Sequence, residues 1–118
     1  VRGWVPHETL LPATDLVIGH DGHSTTFKAL AHGVPILVLP INPISDQLHV
    51  GRTLETAGLA RLLARTATAS QIRTCVTEML DDEELQARVA AADRRLRRAP
   101  PGGEVAAARI LATLKRTA

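Results

Sequence analysis

Asp15-Leu16-Val17-Ile18-Gly19, then Ser24 to His32, then Pro35-Ile36-Leu37-Val38-Leu39-Pro40 decide how this chain folds. The first run is continuously apolar and ends in glycine, the pattern of a strand buried on both faces in a parallel sheet. Ser24 to His32 predicts a helix with Phe27, Leu30 and Ala31 on one face and Gly33 as its stop. Ile36 to Leu39 is a second buried strand, opened by Pro35 and closed by Pro40. Strand, helix and strand at this spacing make a parallel pair joined by a helical crossover.

Working outward, Val1 to Val5 predicts the end of a strand stopped by Pro6, followed by a short helical turn at His7 to Leu11. Ile41 to Ser45 reads as a loop. Asp46 is placed to cap a helix reaching about Ala57, with Gly58 ending it. A short strand is expected near Ala60 to Leu63. Beyond it the chain turns helical. Thr68 and Gln71 form a capping-box pair before Ile72, Val76, Met79 and Leu80, which share one face. Asp81 and Glu84 repeat that signature before Leu85, Val89 and Leu96. Pro100-Pro101-Gly102-Gly103 breaks the chain, and a last helix is expected from Glu104 to about Arg116. The reading is one α/β domain: a parallel sheet with flanking helices over residues 1–63, and a helical tail over residues 64–118.

Composition narrows the class. With 118 residues the chain suffices for one core, and 45% hydrophobic with 22% charged residues is the balance of an ordinary globular protein. Aromatics are only 2%, so the core must be built from Leu, Val, Ile and Ala. A lone cysteine, Cys75, permits no internal disulfide and suits a reducing compartment, so a cytoplasmic location is expected. No apolar run approaches the roughly 20 residues that span a bilayer, and Val1-Arg2-Gly3-Trp4-Val5 lacks the pattern of a signal peptide. Opening without Met, directly into an apolar stretch, predicts a fragment or a processed chain. A net charge of +2 is too weak to argue for nucleic acid.

Ligands of open α/β sheets bind beyond the carboxyl ends of the strands. Here both ends are polar: Gly19-His20-Asp21-Gly22-His23-Ser24-Thr25-Thr26 after the first run, and Pro40 through Asp46-Gln47 after the second. The first loop suits a diphosphate. Gly22 allows close backbone approach, and the N–H groups of Ser24, Thr25 and Thr26 open a helix whose positive end attracts anions. The Ser24 and Thr25 hydroxyls add donors, and His20 can donate to a phosphate oxygen. The plainer alternative is that Ser24 and Thr25 only cap the helix and the histidines are ordinary loop residues.

Trp4-Val5-Pro6, His20-Asp21-Gly22-His23-Ser24-Thr25-Thr26, Gly33-Val34-Pro35 and Pro40 through Asp46-Gln47, in that order, resemble the donor-binding signature of GT-B glycosyltransferases. The resemblance is to the family of plant and bacterial natural-product enzymes that use UDP- or TDP-sugars, and it covers about the first sixty residues. It implies a Rossmann-like C-terminal domain with strand order 3-2-1-4-5-6, Val1 to Val5 being the third strand and Asp15 to Ile18 the fourth. It also implies site roles. Trp4 stacks on the pyrimidine, and the Val5 backbone pairs with the base edge. His20 binds the diphosphate and stabilises it as leaving group; Gly22, His23, Ser24 and Thr25 form the phosphate loop. Asp46 and Gln47 hold the sugar hydroxyls. Lys28 stands where the family often has a ribose-binding glutamate, and could reach a phosphate. His7 replaces a common glutamine near the ribose, the Pro40 to Asp46 loop is longer than in many members, and Leu48 stands where proline often follows. The acceptor site and catalytic base lie, in such enzymes, in an N-terminal domain that nothing in this sequence resembles, so no catalytic residue is assigned. The unpaired sheet edge could then let the piece self-associate. The resemblance implies inverting transfer with no metal and no cofactor beyond the donor sugar.

Other readings are weaker. His20, Asp21 and His23 are crowded but match no zinc spacing. Gly22-His23-Ser24 lacks the following glycine of a serine hydrolase elbow, and Gly19 with Gly22 does not complete a dinucleotide fingerprint. Arg94, Arg95, Arg97 and Arg98 read as a solvated helix face rather than a nucleic-acid patch. A non-catalytic nucleotide-sugar-binding or interaction module is the alternative from another class.

Overall fold

A computed structural model describes residues 3–42 and 44–117 of the chain. Three short strands, β1 (Val17–Gly19), β2 (Ile36–Val38) and β3 (Ala60–Leu62), form one parallel sheet in the order β1-β2-β3. Val17, Ile18 and Gly19 pair with Ile36, Leu37 and Val38, which pair in turn with Ala60, Arg61 and Leu62. Among the described residues there are six α-helices: α1 (His7–Leu10), α2 (His23–Leu30), α3 (Gln47–Thr56), α4 (Ala69–Asp81), α5 (Glu83–Arg98) and α6 (Gly102–Thr117), the last exposed along nearly its whole length. α2 and α3 are the crossovers that parallel pairing demands. β2, flanked on both sides, is buried at every residue, which is why its sequence is apolar without alternation. Ala29, Leu37, Val38, Met79 and Val89 lie at the centre of the core, fully shielded from solvent.

Helix ends follow local chemistry. Gly33 and Gly58 adopt positive φ of 69° and 70°, and each closes a two-bond turn at its helix end. Gly58 N–H donates to Glu55 and Leu59 N–H to Leu54; Gly33 N–H donates to Leu30 and Val34 N–H to Ala29. α5 then fastens both turns, since Arg88 donates to the Gly58 carbonyl at 2.9 Å and Arg97 to that of Ala31 at 3.2 Å. The Thr68–Gln71 capping box forms as expected, with both reciprocal bonds in place.

Several expectations are corrected. Gly3 to Val5 form no strand, and Val1 and Arg2 lie outside the described residues. A strand exists only by pairing, and among the described residues β1 pairs with β2 alone. α2 starts at His23 with Gly22 at its N-cap, and no side chain caps it, so Ser24 and Thr25 sit inside the first turn. Asp46 occupies the N-cap of α3 with φ −69° and ψ −5°, already helical, and its carboxylate makes no capping bond; capping needs an extended backbone there. At α5 the cap is Asp82, not Asp81, because α4 runs through Asp81. The extended Asp82 then accepts from the Leu85 N–H at 2.9 Å. α6 begins at Gly102 rather than Glu104, its first bonds running to the Pro101 carbonyl from Glu104 and Val105. Leu80 and Leu96, which follow the apolar spacing of α4 and α5, are 46% and 38% exposed.

Candidate functional site

The strands run parallel, so the loops after β1 and β2 leave the sheet at one edge. His20, Asp21 and Gly22 form the first loop, and Gly22 hands over to α2. Thr26 N–H makes the first intrahelical bond, to the Gly22 carbonyl at 3.0 Å. The N–H groups of His23, Ser24 and Thr25 therefore precede the helix ladder and point out of its positive end. His20 lies against this turn: a Cβ built on Gly22 would stand 3.3 Å from its Nε2. Beneath the loop a cavity of about 40 Å³, lined by His20, Asp21, Thr25 and Thr26 among others, has room for about one water. On the outer side of the loop His20, His23 and Ser24 are exposed.

Asp21 carries no role that the sequence pattern implies. It has φ of 66°, a left-handed conformation that costs an ordinary residue about 1–2 kcal/mol. It is 3% exposed, and its Oδ1 accepts from the Thr26 hydroxyl at 2.6 Å. The available signal was its position between a loop histidine and a glycine, since aspartate is among the few side chains that enter left-handed backbone readily.

The second loop meets the first through one pair. His23 Nε2 stands 3.6 Å from Asp46 Oδ2, both side chains being more than half exposed. The same His23 ring stacks on Phe27, with centroids 6.4 Å apart. Gln47 turns its carbonyl oxygen back to accept from the Ile41 and Asn42 N–H groups at 3.0 and 3.2 Å, holding the loop after Pro40. Its NH₂ group remains as a donor. Pro43 of that loop lies outside the described residues.

Lys28 is engaged elsewhere, its ammonium 2.9 Å from Glu8 on α1. That hydrogen bond holds the Glu8 carboxyl below its ordinary range. It also ties the half-buried His7 and the rest of α1 to α2. Trp4 and Val5 precede α1, and Trp4 is 84% exposed. Thus His20, Gly22, His23, Ser24 and Thr25 share one turn, Asp46 joins them through His23, and Gln47 braces the second loop. Lys28 and His7 sit along the α1–α2 contact, and the Trp4 indole is free to receive a planar partner. A cavity of about 410 Å³ lined by Glu55, Arg61, Cys75 and Glu78, among others, shares none of these residues. Burial raises the Cys75 thiol above its ordinary value, which suits packing rather than nucleophilic chemistry. No three His, Cys, Asp or Glu side chains gather as a metal site among the described residues.

Comparison with known proteins matches residues 1–112 to the family described as Erythromycin biosynthesis protein CIII-like, C-terminal domain. Demethyllactenocin mycarosyltransferase of Streptomyces fradiae is 34% identical over 112 residues, which are 94% of this chain and 23% of that protein. The glycosyltransferase SsfS6 of Streptomyces sp. SF2575, solved with thymidine diphosphate, superposes with a TM-score of 0.69 at 26% identity, over 83% of this chain and 25% of its own. The calicheamicin glycosyltransferase CalG4 gives a TM-score of 0.81 over 98% of this chain and 30% of its own, at 23% identity, a likeness of fold. The chain spans between about a quarter and a third of the length of these relatives.

Proposed function

The chain belongs to the family of Erythromycin biosynthesis protein CIII-like C-terminal domains, and from that membership we propose that it binds the nucleotide-sugar donor of a GT-B glycosyltransferase. One observation carries the reading. The positive end of α2, with His20 beside it, meets Asp46 across 3.6 Å through His23, which supports a reading in which diphosphate and sugar are held side by side on one edge. SsfS6, similar to this chain, was solved with thymidine diphosphate, which supports TDP within the expected pair of UDP and TDP.

On this reading Trp4 stacks on the pyrimidine, worth about 1–3 kcal/mol, and the Val5 backbone meets the base edge. His7 and Lys28 line the ribose side. The diphosphate lies over Gly22 and the N–H groups of His23, Ser24 and Thr25, with His20 donating to it, and Asp46 with Gln47 holds the sugar. Residues 1–63 are the donor-binding core, and residues 64–118 a helical tail.

Transfer is a displacement with inversion. The acceptor hydroxyl oxygen bonds to the anomeric carbon, while the bond from that carbon to the diphosphate oxygen breaks and its electron pair leaves with the nucleotide. The hydroxyl proton goes to a base contributed from outside this chain, as does the pocket for the small-molecule acceptor. This chain supplies leaving-group stabilisation, because His20 and the α2 N-terminus face charge that grows as the bond breaks. With those donors the step requires no metal. The single Cys75, which suits a reducing compartment, supports a cytoplasmic location.

The outer edge of β1, where Ile18 is 50% exposed, would let the isolated chain self-associate by strand pairing. Light scattering that finds only monomer at high concentration would dismiss that part.

Titration of UDP and TDP against the fluorescence of Trp4, the only indole, tests the main reading. Saturable quenching that His20→Ala abolishes is expected. No response to either nucleotide at millimolar concentration overturns it.

A further inference from the structure

Asp21 has the most enclosed side chain of the first loop, 3% exposed, and its conformation is one that glycine would adopt without strain. The cost must therefore be offset by something that glycine would not provide. Its Oδ1 accepts from the hydroxyl of Thr26 at 2.6 Å, and Thr26 is itself only 2% exposed. Its Oδ2 faces α3, where a Cβ built on Gly51 would stand 3.4 Å away. That oxygen has no hydrogen-bond partner among the described residues, which is unfavourable for a buried group. A left-handed backbone and an unmatched buried oxygen both weigh against the fold. Such features persist where local geometry serves function. The carboxyl group is wedged between α2 and α3, the two helices whose starts carry the diphosphate-facing and sugar-facing residues.

Resting on the nucleotide-sugar reading above, we propose that Asp21 is a positioning residue: through the Thr26 hydroxyl and its seat beside Gly51 of α3 it sets the pitch of the His20–Gly22 loop, so that the His20 imidazole and the open N–H groups of α2 face the same diphosphate. Asp21 touches no ligand itself. It acts through His20 and Gly22, its neighbours on either side.

The test compares two ligands and four variants on the 118-residue chain. TDP and thymidine are titrated against Trp4 fluorescence in the parent, Asp21→Gly, Asp21→Asn, Thr26→Val and Thr26→Ser. Asp21→Gly relieves the backbone but deletes the wedge, so TDP affinity falls about tenfold or more while thymidine affinity holds. Thr26→Val repeats that pattern. Asn tolerates the same backbone and keeps an oxygen for Thr26, and serine keeps the hydroxyl, so both restore TDP binding. A merely structural role would weaken both ligands together.

Unchanged TDP affinity in Asp21→Gly overturns the proposal, as does equal loss of TDP and thymidine. If the parent ignores nucleotides altogether, the donor reading has failed on its own. The His20 ring resonances, assigned with His20→Gln, then decide about positioning: they move in Thr26→Val and return in Thr26→Ser, and unmoved resonances in a folded Thr26→Val overturn it. Should Thr26→Val not fold, Asp21→Gly carries the same comparison.

Discussion

His23 and Asp46 face each other at 3.6 Å across the carboxyl edge of the sheet, joining the first turn of α2 to the start of α3. The pair does two things that neither loop does alone. It places a donor-rich helix start beside a carboxylate, and it leaves that carboxylate uncommitted to its own helix.

Because both side chains are more than half exposed, screening limits the pair to roughly 0.2–1 kcal/mol of stability. His23→Gln should therefore shift the urea midpoint little. Its effect should appear in ligand preference: a TDP-sugar should lose more affinity than TDP, because the change reaches the ligand through Asp46. Asp46→Asn should show the same selectivity. Equal losses for the two ligands would remove Asp46 from the sugar site.

Leu37 is fully buried in the central strand, between β1 and β3. Leu37→Ala should cost about 2–5 kcal/mol, the range for a large aliphatic side chain truncated in a close-packed core. Urea unfolding followed by far-ultraviolet dichroism measures it, and a loss below 1 kcal/mol, on the order of an exposed site, would contradict the packing.

Gly58 and Gly33 share a positive φ but differ in surroundings. A Cβ on Gly58 would stand 2.5 Å from Arg88 Nε, whereas one on Gly33 meets nothing closer than Asp93 at 3.8 Å. Gly33→Ala should cost about 1–2 kcal/mol from backbone conformation alone. Gly58→Ala should cost about 1 kcal/mol more, because Arg88 must move off the carbonyl it donates to. Equal losses in paired denaturation curves would remove the Arg88 contact from the account.

Asp82 caps α5, and the bond from the Leu85 N–H, aided by Arg61, holds its carboxyl below the ordinary aspartate value. A folded value lower than the unfolded one means that the unfolded chain binds more protons in between. The contribution is complete above about pH 3.9 and is lost as pH falls through the folded value. Asp82→Asn should be less stable than the parent at pH 7, and the two curves should converge in acid. A gap that stays constant down to the acid transition would show that ionisation plays no part in the cap.

Much of the fold was legible because the signals were local. The apolar runs at β1 and β2, the stops at Gly33 and Gly58 and the capping box at Thr68 each depend on residues within a turn or two. The phosphate loop was legible for the same reason, its residues being consecutive. What could not be read locally was any feature that depended on a distant partner. Val1 to Val5 has the composition of a strand end, yet Gly3 to Val5 forms none, because pairing with another segment, not composition, makes a strand. Asp46 was read as a cap from its residue type, yet its helical backbone turns the carboxylate away from α3 and toward His23. The ion pair of Lys28 with Glu8, twenty positions earlier, is likewise visible only in the fold.

The amino-acid order by itself determined a parallel α/β chain with polar strand ends, because hydrophobic period, proline and glycine act over a few bonds. Tertiary structure alone decided that Asp21 is enclosed beside Gly51 of α3 and that Asp46 meets His23. Those two juxtapositions exist only once the two crossover helices pack on the same sheet, bringing together residues more than twenty positions apart in sequence.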